Sequence, residues 1–236
     1  MSAANRGAKR IEADNYPTPS WATRRILDAL RGRLGTLKFW EPCVGEGAIA
    51  KVISEMFPGA MVIGSDVRET SWASGGAMWD ATKPIEYISD GRPGFDLLIT
   101  NPPFNVAHEI IQAQRNAAPL CCYLLRASFL EGERTEAYRD DMPDEYRLPE
   151  RPNFVASMKC KTRLPDGRRI DGCGWRETVA IDAPRFVECP ECGSKELQCS
   201  TTDASAYSWF VWGTTRRSVG ETRILPSTPL AERQRA

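Results

Sequence analysis

The chain has 236 residues, of which 42% are hydrophobic and 26% charged, proportions that are ordinary for a soluble globular protein. Its 31 basic and 31 acidic side chains cancel, which excludes a polycation, so any surface for nucleic acid must come from local segregation of charge. No apolar run approaches the length of a membrane span and the N-terminus lacks a signal-peptide core, so we expect a cytoplasmic protein without membrane contact.

Strands and helices are predicted to alternate along the first half of the chain. After residues 1–13, which we expect to be disordered, Ser20 is a plausible N-cap for a helix that Gly32 and Gly35 end. The remaining patterns predict strands at 37–40, 61–66, 77–80, 96–100 and 120–125, and helices at 48–57 and 106–116. This alternation predicts an α/β fold with a mainly parallel sheet.

A glycine-rich turn follows the first predicted strand and reads Glu41-Pro42-Cys43-Val44-Gly45-Glu46-Gly47. Gly45 and Gly47 would let the backbone approach a ligand closely, as in nucleotide-binding strand–turn–helix units. Asp66 ends the second strand, where its carboxylate could accept both hydroxyls of a ribose, although a surface acid at a strand end is an equal alternative. Asp80 ends the third strand, where it could accept a hydrogen bond from an adenine amino group.

The strand at 96–100 stops abruptly at Asn101-Pro102-Pro103-Phe104. Two prolines cannot continue a strand, so they hold the chain in a rigid turn. The Asn101 side-chain oxygen and the Pro102 carbonyl could accept both protons of an exocyclic amine, which would localise its lone pair towards an electrophile. Phe104 offers a face on which an extruded nucleobase can stack. The alternative is a turn with no chemical role.

The second half of the chain is less regular. Residues 131–150 carry eight acids against three arginines, which favours a solvated acidic loop or helix. We expect a sixth strand at 154–158 and a seventh, aromatic strand at 205–213, paired as a hairpin with 161–203 inserted at its tip. The predicted organisation is therefore a main domain at 14–160 and 204–225, a cysteine-rich target-recognition insertion at 161–203, and a tail at 226–236.

These motifs resemble a known family. Glu41-Pro42-x-x-Gly45-x-Gly47, Asp66, Asp80 and Asn101-Pro102-Pro103-Phe104 occur in the order found in class I S-adenosylmethionine-dependent methyltransferases. The Asn-Pro-Pro-Phe form resembles the N6-adenine branch, and Tyr16-Pro-Thr-Pro together with the aromatic strand resembles small phage-type DNA adenine methyltransferases. The resemblance covers roughly 14–130 and 204–213. It implies a Rossmann-like class I methyltransferase sheet. The resemblance does not cover 131–150 or the small cysteine-rich (zinc) insertion, which we expect in the hairpin of the sixth and seventh strands.

The resemblance also implies an activity, which is transfer of a methyl group from S-adenosylmethionine to the N6 amino group of adenine in DNA. Glu41 and the turn with Pro42, Gly45 and Gly47 would hold the methionine part of the cofactor, Asp66 the ribose and Asp80 the adenine. Tyr16, Thr18 and Pro19 would close over the methionine end of the cofactor. The target adenine would be held by the Asn-Pro-Pro-Phe turn, that is by Asn101, Pro102, Pro103 and Phe104. Cys43 is interpreted as a packing residue, since methylation of an amine needs no covalent intermediate.

Five of the eight cysteines lie in one segment, between Cys160 and Cys199. In a cytoplasmic chain such clustering favours a metal over disulfides, and Cys189-Pro-Glu-Cys192-Gly is typical of a zinc knuckle. We expect a structural zinc ion bound by the thiolates of Cys160, Cys173, Cys189 and Cys192. Cys199 could take the place of Cys160. Unrelated free thiols are the alternative.

The same segment is basic. Between 159 and 176 six cations face two carboxylates, a net charge of +4 (6 − 2). We expect the following side chains to contact DNA phosphates or base edges: Lys161, Arg163, Arg168, Arg169 and Arg176. A solvated charged face is the alternative.

Three other functions share part of this pattern. A methyltransferase for an RNA base or a protein glutamine amide would use the same acceptors on a different conjugated amine. A nicotinamide oxidoreductase would match G-x-G-x-x-A with Asp66 but leave Glu41 and the Asn-Pro-Pro-Phe turn unexplained. A non-catalytic zinc-containing nucleic-acid-binding protein would use the cysteine segment alone. The sequence specifies neither the target site nor the oligomeric state.

Overall fold

A computed structural model describes residues 17–35, 37–73, 78–85, 94–152, 154–180, 186–201, 205–213 and 220–229. The chain divides into two compact units. The larger unit comprises 18–152 and 205–236, and the smaller unit comprises 1–17 and 153–204. The sequence predicts the insertion from residue 161, whereas the smaller unit includes the residues from 153 onward.

The larger unit contains most of the helices and strands in alternation along the chain. Its elements are α1 (Ser20–Leu30), β1 (Lys38–Glu41), α2 (Ala48–Met56), β2 (Met61–Gly64), β3 (Leu97–Thr100), α3 (Ala107–Gln114), β4 (Leu120–Arg126), α4 (Glu133–Ala137), β5 (Asp144–Arg147), β9 (Tyr207–Gly213) and β10 (Thr222–Ile224). The smaller unit contributes the three strands between them, β6 (Val155–Arg163), β7 (Arg169–Ala180) and β8 (Leu197–Thr201).

The larger unit is built on one seven-stranded sheet with the order β10-β5-β9-β4-β3-β1-β2. The pairs β1–β2, β1–β3 and β3–β4 are parallel, whereas β9 runs antiparallel to both β4 and β5. The direction of winding reverses between β1 and β3, and in open α/β sheets ligands bind at the carboxyl ends of the strands at such a point. The predicted α/β fold with a mainly parallel central sheet is confirmed.

The central strands are buried because their sequences are continuous apolar runs. All four residues of β3 are buried, and so are the first six of β4, as expected for parallel strands that are covered on both faces. Ile110 and Ile111 of α3 pack into the core together with Trp212 of β9. The indole N–H of Trp209 donates to the Ala22 carbonyl of α1 at 3.0 Å, which fixes that helix against the sheet.

The sixth strand of the sheet is not where the sequence predicts it. The strand that pairs with β9 is β5, from Asp144, and residues 154–158 belong to the separate sheet of the smaller unit. The acidic segment 131–150 is solvated only in its first part, where residues 131–137 are exposed and include α4, whereas Tyr138 and Tyr146 are buried. Asp141 is buried too, and its ion pair with Arg115 at 3.3 Å offsets the cost of burying its charge.

Three smaller corrections concern a predicted strand, the start of a helix and a strand that the sequence does not predict. Of the predicted strand at 77–80, residue 77 lies outside the described residues, and residues 78–80 form only a single parallel bridge, between Asp66 and Met78. Helix α1 has Pro19 at its N-cap instead of Ser20. Strand β10 pairs with β5 in a stretch for which the sequence predicts no element.

The smaller unit is a three-stranded antiparallel sheet with the order β7-β6-β8. Few of its described side chains are buried, and those that are include Phe154, Met158, Cys160 and Cys189. A sheet with so small an apolar core needs another source of stability. Within the residues described, no helix of either unit is long and apolar enough to cross a lipid bilayer.

Candidate functional site

The glycine turn after β1 is tied directly to the end of β2. The Val44 N–H donates to the Ser65 carbonyl at 2.9 Å, and the Gly45 N–H donates to Asp66 Oδ2 at 2.9 Å. Gly45 and Gly47 have φ angles of 48° and 75°, which non-glycine residues rarely adopt. The sequence therefore places glycine at two positions where the turn requires it, and Asp66 holds the turn in shape.

Asp66 is buried and most of its hydrogen-bonding capacity is already used. Its Oδ1 accepts from the backbone N–H of Arg68 at 3.0 Å and from the Arg68 Nε–H at 3.2 Å, while Oδ2 accepts from Gly45. Each carboxylate oxygen offers two lone pairs. Oδ2 can thus take one further donor, whereas the predicted pair of ribose hydroxyls would require Arg68 to move.

Glu41 lies fully buried at the start of the same turn. The Ala50 N–H of α2 donates to its carboxyl group, but Oε2 accepts no hydrogen bond from any described residue. Burial raises the pKa of Glu41 well above its ordinary value; the Ala50 hydrogen bond opposes this rise, and the nearby Asp66 adds to it. A buried carboxyl oxygen without a donor is suited to a ligand that brings a donor, such as an amino group.

Trp72 lies against the glycine turn, although no sequence motif singles it out. Its indole ring lies so close to Gly47 that a Cβ there would be 2.3 Å from Trp72 Cδ2, and its carbonyl oxygen would be 2.4 Å from a Cβ at Gly64. The segment around Trp72 therefore crosses both the glycine turn and the end of β2. The Lys51 ammonium lies 5.6 Å from the centre of the indole ring.

Asp80 lies at a turn and is partly exposed. Its Oδ1 accepts from the Thr82 hydroxyl at 2.6 Å and from the Thr82 N–H at 3.0 Å. These hydrogen bonds, together with Lys83, lower the pKa of Asp80. Its side chain is 41% exposed, and Oδ2 lies 3.9 Å from the Lys83 ammonium.

The Asn-Pro-Pro-Phe turn follows β3, the strand that lies directly beside β1. The Asn101 side-chain oxygen and Pro102 are buried, whereas Phe104 is partly exposed. The Phe104 ring packs against the ring of Tyr207, with 5.8 Å between centroids and 41° between planes. The turn thus begins in the core and ends at an aromatic side chain near the surface.

The remaining residues that the sequence singles out near this site are Cys43 and three residues before α1. Burial raises the pKa of the Cys43 thiol to about 12, which keeps it protonated and unsuited to nucleophilic attack. Thr18 and Pro19 are buried before α1. Tyr16 lies outside the described residues.

Four cysteines of the smaller unit come together. The Sγ atoms of Cys160, Cys173, Cys189 and Cys192 all lie within 4.8 Å of one another. The distance from Cys160 to Cys192 is 3.6 Å and that from Cys173 to Cys189 is 3.5 Å. Cys199 is exposed on β8 and is not part of this cluster.

An irregularity in β7 brings Cys173 into the cluster. Lys159 pairs with Arg176 and Lys161 with Asp171, so that four residues of β7 lie opposite Cys160 alone. A Cβ at Gly172 would come within 2.6 Å of the Cys160 sulfur. Only glycine fits at that position, and the bulge turns Cys173 back towards the knuckle.

Backbone amides surround the sulfur atoms in a repeated pattern. Cys173 and Cys192 are each followed by a glycine with positive φ, Gly174 at 92° and Gly193 at 70°. In both places the amide two residues after the cysteine donates to its sulfur, from Trp175 and from Ser194. Amide hydrogen bonds to sulfur stabilise a thiolate, as metal binding requires. The Cys-Gly pair at 173–174 therefore repeats the end of the Cys189–Gly193 knuckle, although Cys173 has no second cysteine at the Cys-x-x-Cys spacing.

Four basic side chains of the smaller unit are paired with carboxylates. Lys161 contacts Asp171 at 2.7 Å, and the three exposed arginines pair as Arg163–Glu196, Arg168–Asp166 and Arg176–Asp171. The side chain of Arg169 lies outside the described set. Over 154–180 and 186–201 the net charge is +1 (7 − 6), because the acids that follow residue 176 cancel most of the +4 of the basic stretch.

Comparison with known proteins gives weak structural matches. The sequence matches no family model and no curated protein. A solved structure described as a candidate RNA methyltransferase from Pyrococcus horikoshii is 12% identical, with a TM-score of 0.45 over 90% of this chain and 92% of that one. A modification subunit of a candidate type I restriction enzyme from Vibrio vulnificus is 12% identical, with a TM-score of 0.43 over 88% of this chain and 45% of that one. A candidate hemolysin from Lactococcus lactis is 9% identical, with a TM-score of 0.47 over 93% and 97%. Matches of this strength carry no information on reaction or substrate.

Proposed function

We propose that this chain transfers the methyl group of S-adenosylmethionine to the N6 amino group of adenine in DNA. The observation that carries the proposal is the adjacency of β1 and β3. Because these strands are neighbours, the glycine turn after one and the Asn-Pro-Pro-Phe turn after the other lie at the same edge of the sheet. The proposed site for a nucleoside cofactor would thus adjoin a pair of acceptors suited to an amine.

The residues present fit this cofactor. The buried Oε2 of Glu41 would accept a hydrogen bond from the amino group of the methionine part, and Oδ2 of Asp66 would accept one ribose hydroxyl. When bound, the cofactor supplies a methyl group that is already activated on a sulfonium. The partly exposed carboxylate of Asp80 would accept a hydrogen bond from the adenine amine of the cofactor.

The Asn-Pro-Pro-Phe turn would act on the acceptor base. The Asn101 oxygen and the Pro102 carbonyl would each accept one proton of the N6 amine, so that its lone pair is localised and points along the line of transfer. Extruding the base costs a few kcal/mol, and stacking on Phe104 would return about 1–3 kcal/mol.

A transfer assay with a labelled methyl donor tests this proposal. We expect label on the adenine of duplex DNA, and we expect Asn101→Ala to lower the transfer rate by about 10²-fold or more, since it removes an oriented acceptor. The matched control is Asn105→Ala, because Asn105 is exposed just after the turn. We expect both variants to bind the cofactor as the parent does. Label on RNA or protein alone, or a parent that binds cofactor and labels nothing, would refute the DNA assignment.

We further propose that the cluster of Cys160, Cys173, Cys189 and Cys192 holds a structural zinc ion. A tetrahedral zinc with sulfur ligands at about 2.3 Å places sulfur atoms about 3.8 Å apart. The closest sulfur pairs of the cluster are 3.5 and 3.6 Å apart, which needs only a small expansion. All four ligand positions would come from the protein, so no open position remains for catalysis.

Metal content measured on matched serine variants tests the zinc proposal. We expect one zinc per chain in the parent and in Cys199→Ser, whose thiol lies outside the cluster, and a loss of bound zinc in Cys173→Ser. Equal metal content in the two variants would contradict this ligand set.

The smaller unit is proposed to contribute to recognition of the DNA target through its cations, including Arg169. Exposed ion pairs are worth about 0–1 kcal/mol each, so phosphates could displace the carboxylate partners of Arg163, Arg168 and Arg176 at small cost. Lys161 is less exposed, which makes its pair with Asp171 harder to replace.

A further inference from the structure

Arg126 differs from several other arginines of the larger unit in its lack of an ion pair with a described acid. It is the last residue of β4 and its side chain is exposed. Among the residues that the structure describes, no carboxylate lies within ion-pair distance of it. Arg68, Arg115 and Arg147 of the same unit each contact an acid at 3.0 to 3.3 Å. A guanidinium that no described acid neutralises can bind an anion from outside.

The contact that Arg126 does make is with the candidate target-binding residue. Its Cζ lies 5.4 Å from the centre of the Phe104 ring, within the range of a cation–π interaction. Arg126 lies directly opposite Tyr207 in the β4–β9 pairing, so both side chains stand on the same face of the sheet. Both contact Phe104, which is thus held by a cross-strand pair made of one buried aromatic ring and one exposed guanidinium.

The backbone around Arg126 is fixed. Ala127 N–H donates to the Ala206 carbonyl at 2.9 Å, and Phe129 N–H donates to the Arg126 carbonyl at 2.8 Å. The strand is therefore extended by one more cross-strand bond and closed by a turn directly after Arg126. A guanidinium on such a rigid base loses less freedom on binding than one on a loop.

We propose that Arg126 is a positioning residue that binds a phosphate next to the extruded nucleotide while its guanidinium packs on Phe104. The inference rests on the proposed function, since it takes Phe104 as the surface on which the base stacks. A planar guanidinium can stack on a ring and donate to a phosphate with its edge at the same time, which an ammonium cannot do. The ligand chemistry is a phosphodiester of a nucleic acid.

The salt dependence of DNA binding tests this inference. Each phosphate contact contributes about 1 to the slope of log K against log salt concentration, so we expect Arg126→Gln to reduce the slope by about 1 and Arg126→Lys to retain it. Arg126→Lys keeps the charge without the stacking, so we expect near-normal DNA affinity with a lower transfer rate. Binding is measured by fluorescence anisotropy on a duplex from 50 to 200 mM salt, with single-turnover methyl transfer on the same duplex.

The matched control is Arg134→Gln. Arg134 is also exposed, and its guanidinium also stacks on an aromatic ring, that of Phe129 at 5.0 Å, but it lies on α4. We expect its salt slope to equal that of the parent. An unchanged slope in Arg126→Gln, an equal change in Arg134→Gln, or a parent that binds no DNA would overturn the inference. A parent that binds DNA with the expected slopes but transfers no methyl group would refute the proposed function and leave the phosphate contact standing.

Discussion

At the scale of single residues, Glu41 links the protonation state of the site to its stability. Burial raises the pKa of Glu41 far above the ordinary value of 4.5, so above that pH the native protein keeps a proton that the unfolded chain has lost. Its contribution to stability is therefore complete below pH 4.5 and is lost as the pH rises through the raised pKa. We expect the free energy of unfolding of the parent to fall more steeply than that of Glu41→Gln over this range, as measured by urea denaturation. A difference between the two proteins that is independent of pH would contradict this.

The same carboxyl group predicts how cofactor binding depends on pH. A cationic amino group placed beside Glu41 favours the carboxylate, so binding should release a proton and tighten as the pH rises. We expect this trend in the parent and in Glu46→Gln, because Glu46 is exposed in the same turn, but not in Glu41→Gln. Calorimetry in two buffers of different ionisation enthalpy measures the released proton. Equal proton release in Glu41→Gln and the parent would contradict this.

Local chemistry explains which site residues could be predicted. Gly45, Gly47 and the Asn101–Phe104 turn are recognisable because their residue types serve the backbone geometry that they adopt. Trp72 and Arg68 could not be predicted, since their contacts with Gly47 and Asp66 depend on how a loop folds back over the turn. The positions of such loops are set by packing that no local pattern encodes.

At the scale of elements, the start of α2 depends on a close contact between Gly47 and Trp72. Gly47 is the left-handed N-cap of α2, and a Cβ there would overlap the indole. Gly59 also has positive φ, at 89°, but no atom lies within 4 Å of its would-be Cβ. Gly59→Ala should therefore cost only the backbone penalty of about 1–2 kcal/mol, and Gly47→Ala a further 1–3 kcal/mol or so for the overlap. Denaturant unfolding measures both.

A third variant separates the backbone penalty at Gly47 from the cost of its overlap with the indole. In a Trp72→Ala background the overlap is absent, so we expect the excess cost of Gly47→Ala over Gly59→Ala to disappear. Equal losses for the two glycines in the parent background would show that the indole yields freely.

Elements also show where sequence patterns stop being informative. The apolar runs of β3 and β4 are predictable because both faces of the central strands are covered. Strand β5 carries no such signal, because its sequence, Asp-Glu-Tyr-Arg, is polar, and it is a strand only through its pairing with β9. Pairing across sixty residues or so is a long-range property that local propensity does not carry.

At the scale of the whole molecule, stability comes from different sources in the two units. The larger unit has an extensive apolar core around its sheet, whereas the described part of the smaller unit buries few apolar side chains. If zinc binds the four thiolates, its binding free energy becomes folding free energy of the smaller unit. We expect a strong chelator to abolish hydrogen-exchange protection in β6, β7 and β8 while β1, β3 and β4 stay protected.

The same experiment separates the roles of the two units in the proposed reaction. The proposed cofactor residues Glu41, Gly45 and Asp66 belong to the larger unit, so we expect cofactor affinity to survive chelation nearly unchanged. Methyl transfer to DNA should fall, because the proposed recognition surface is lost with the fold of the smaller unit, and it should return when zinc is added back. Persistence of full transfer after chelation would remove the smaller unit from target recognition, and retained protection in β6 would show that its fold does not depend on metal.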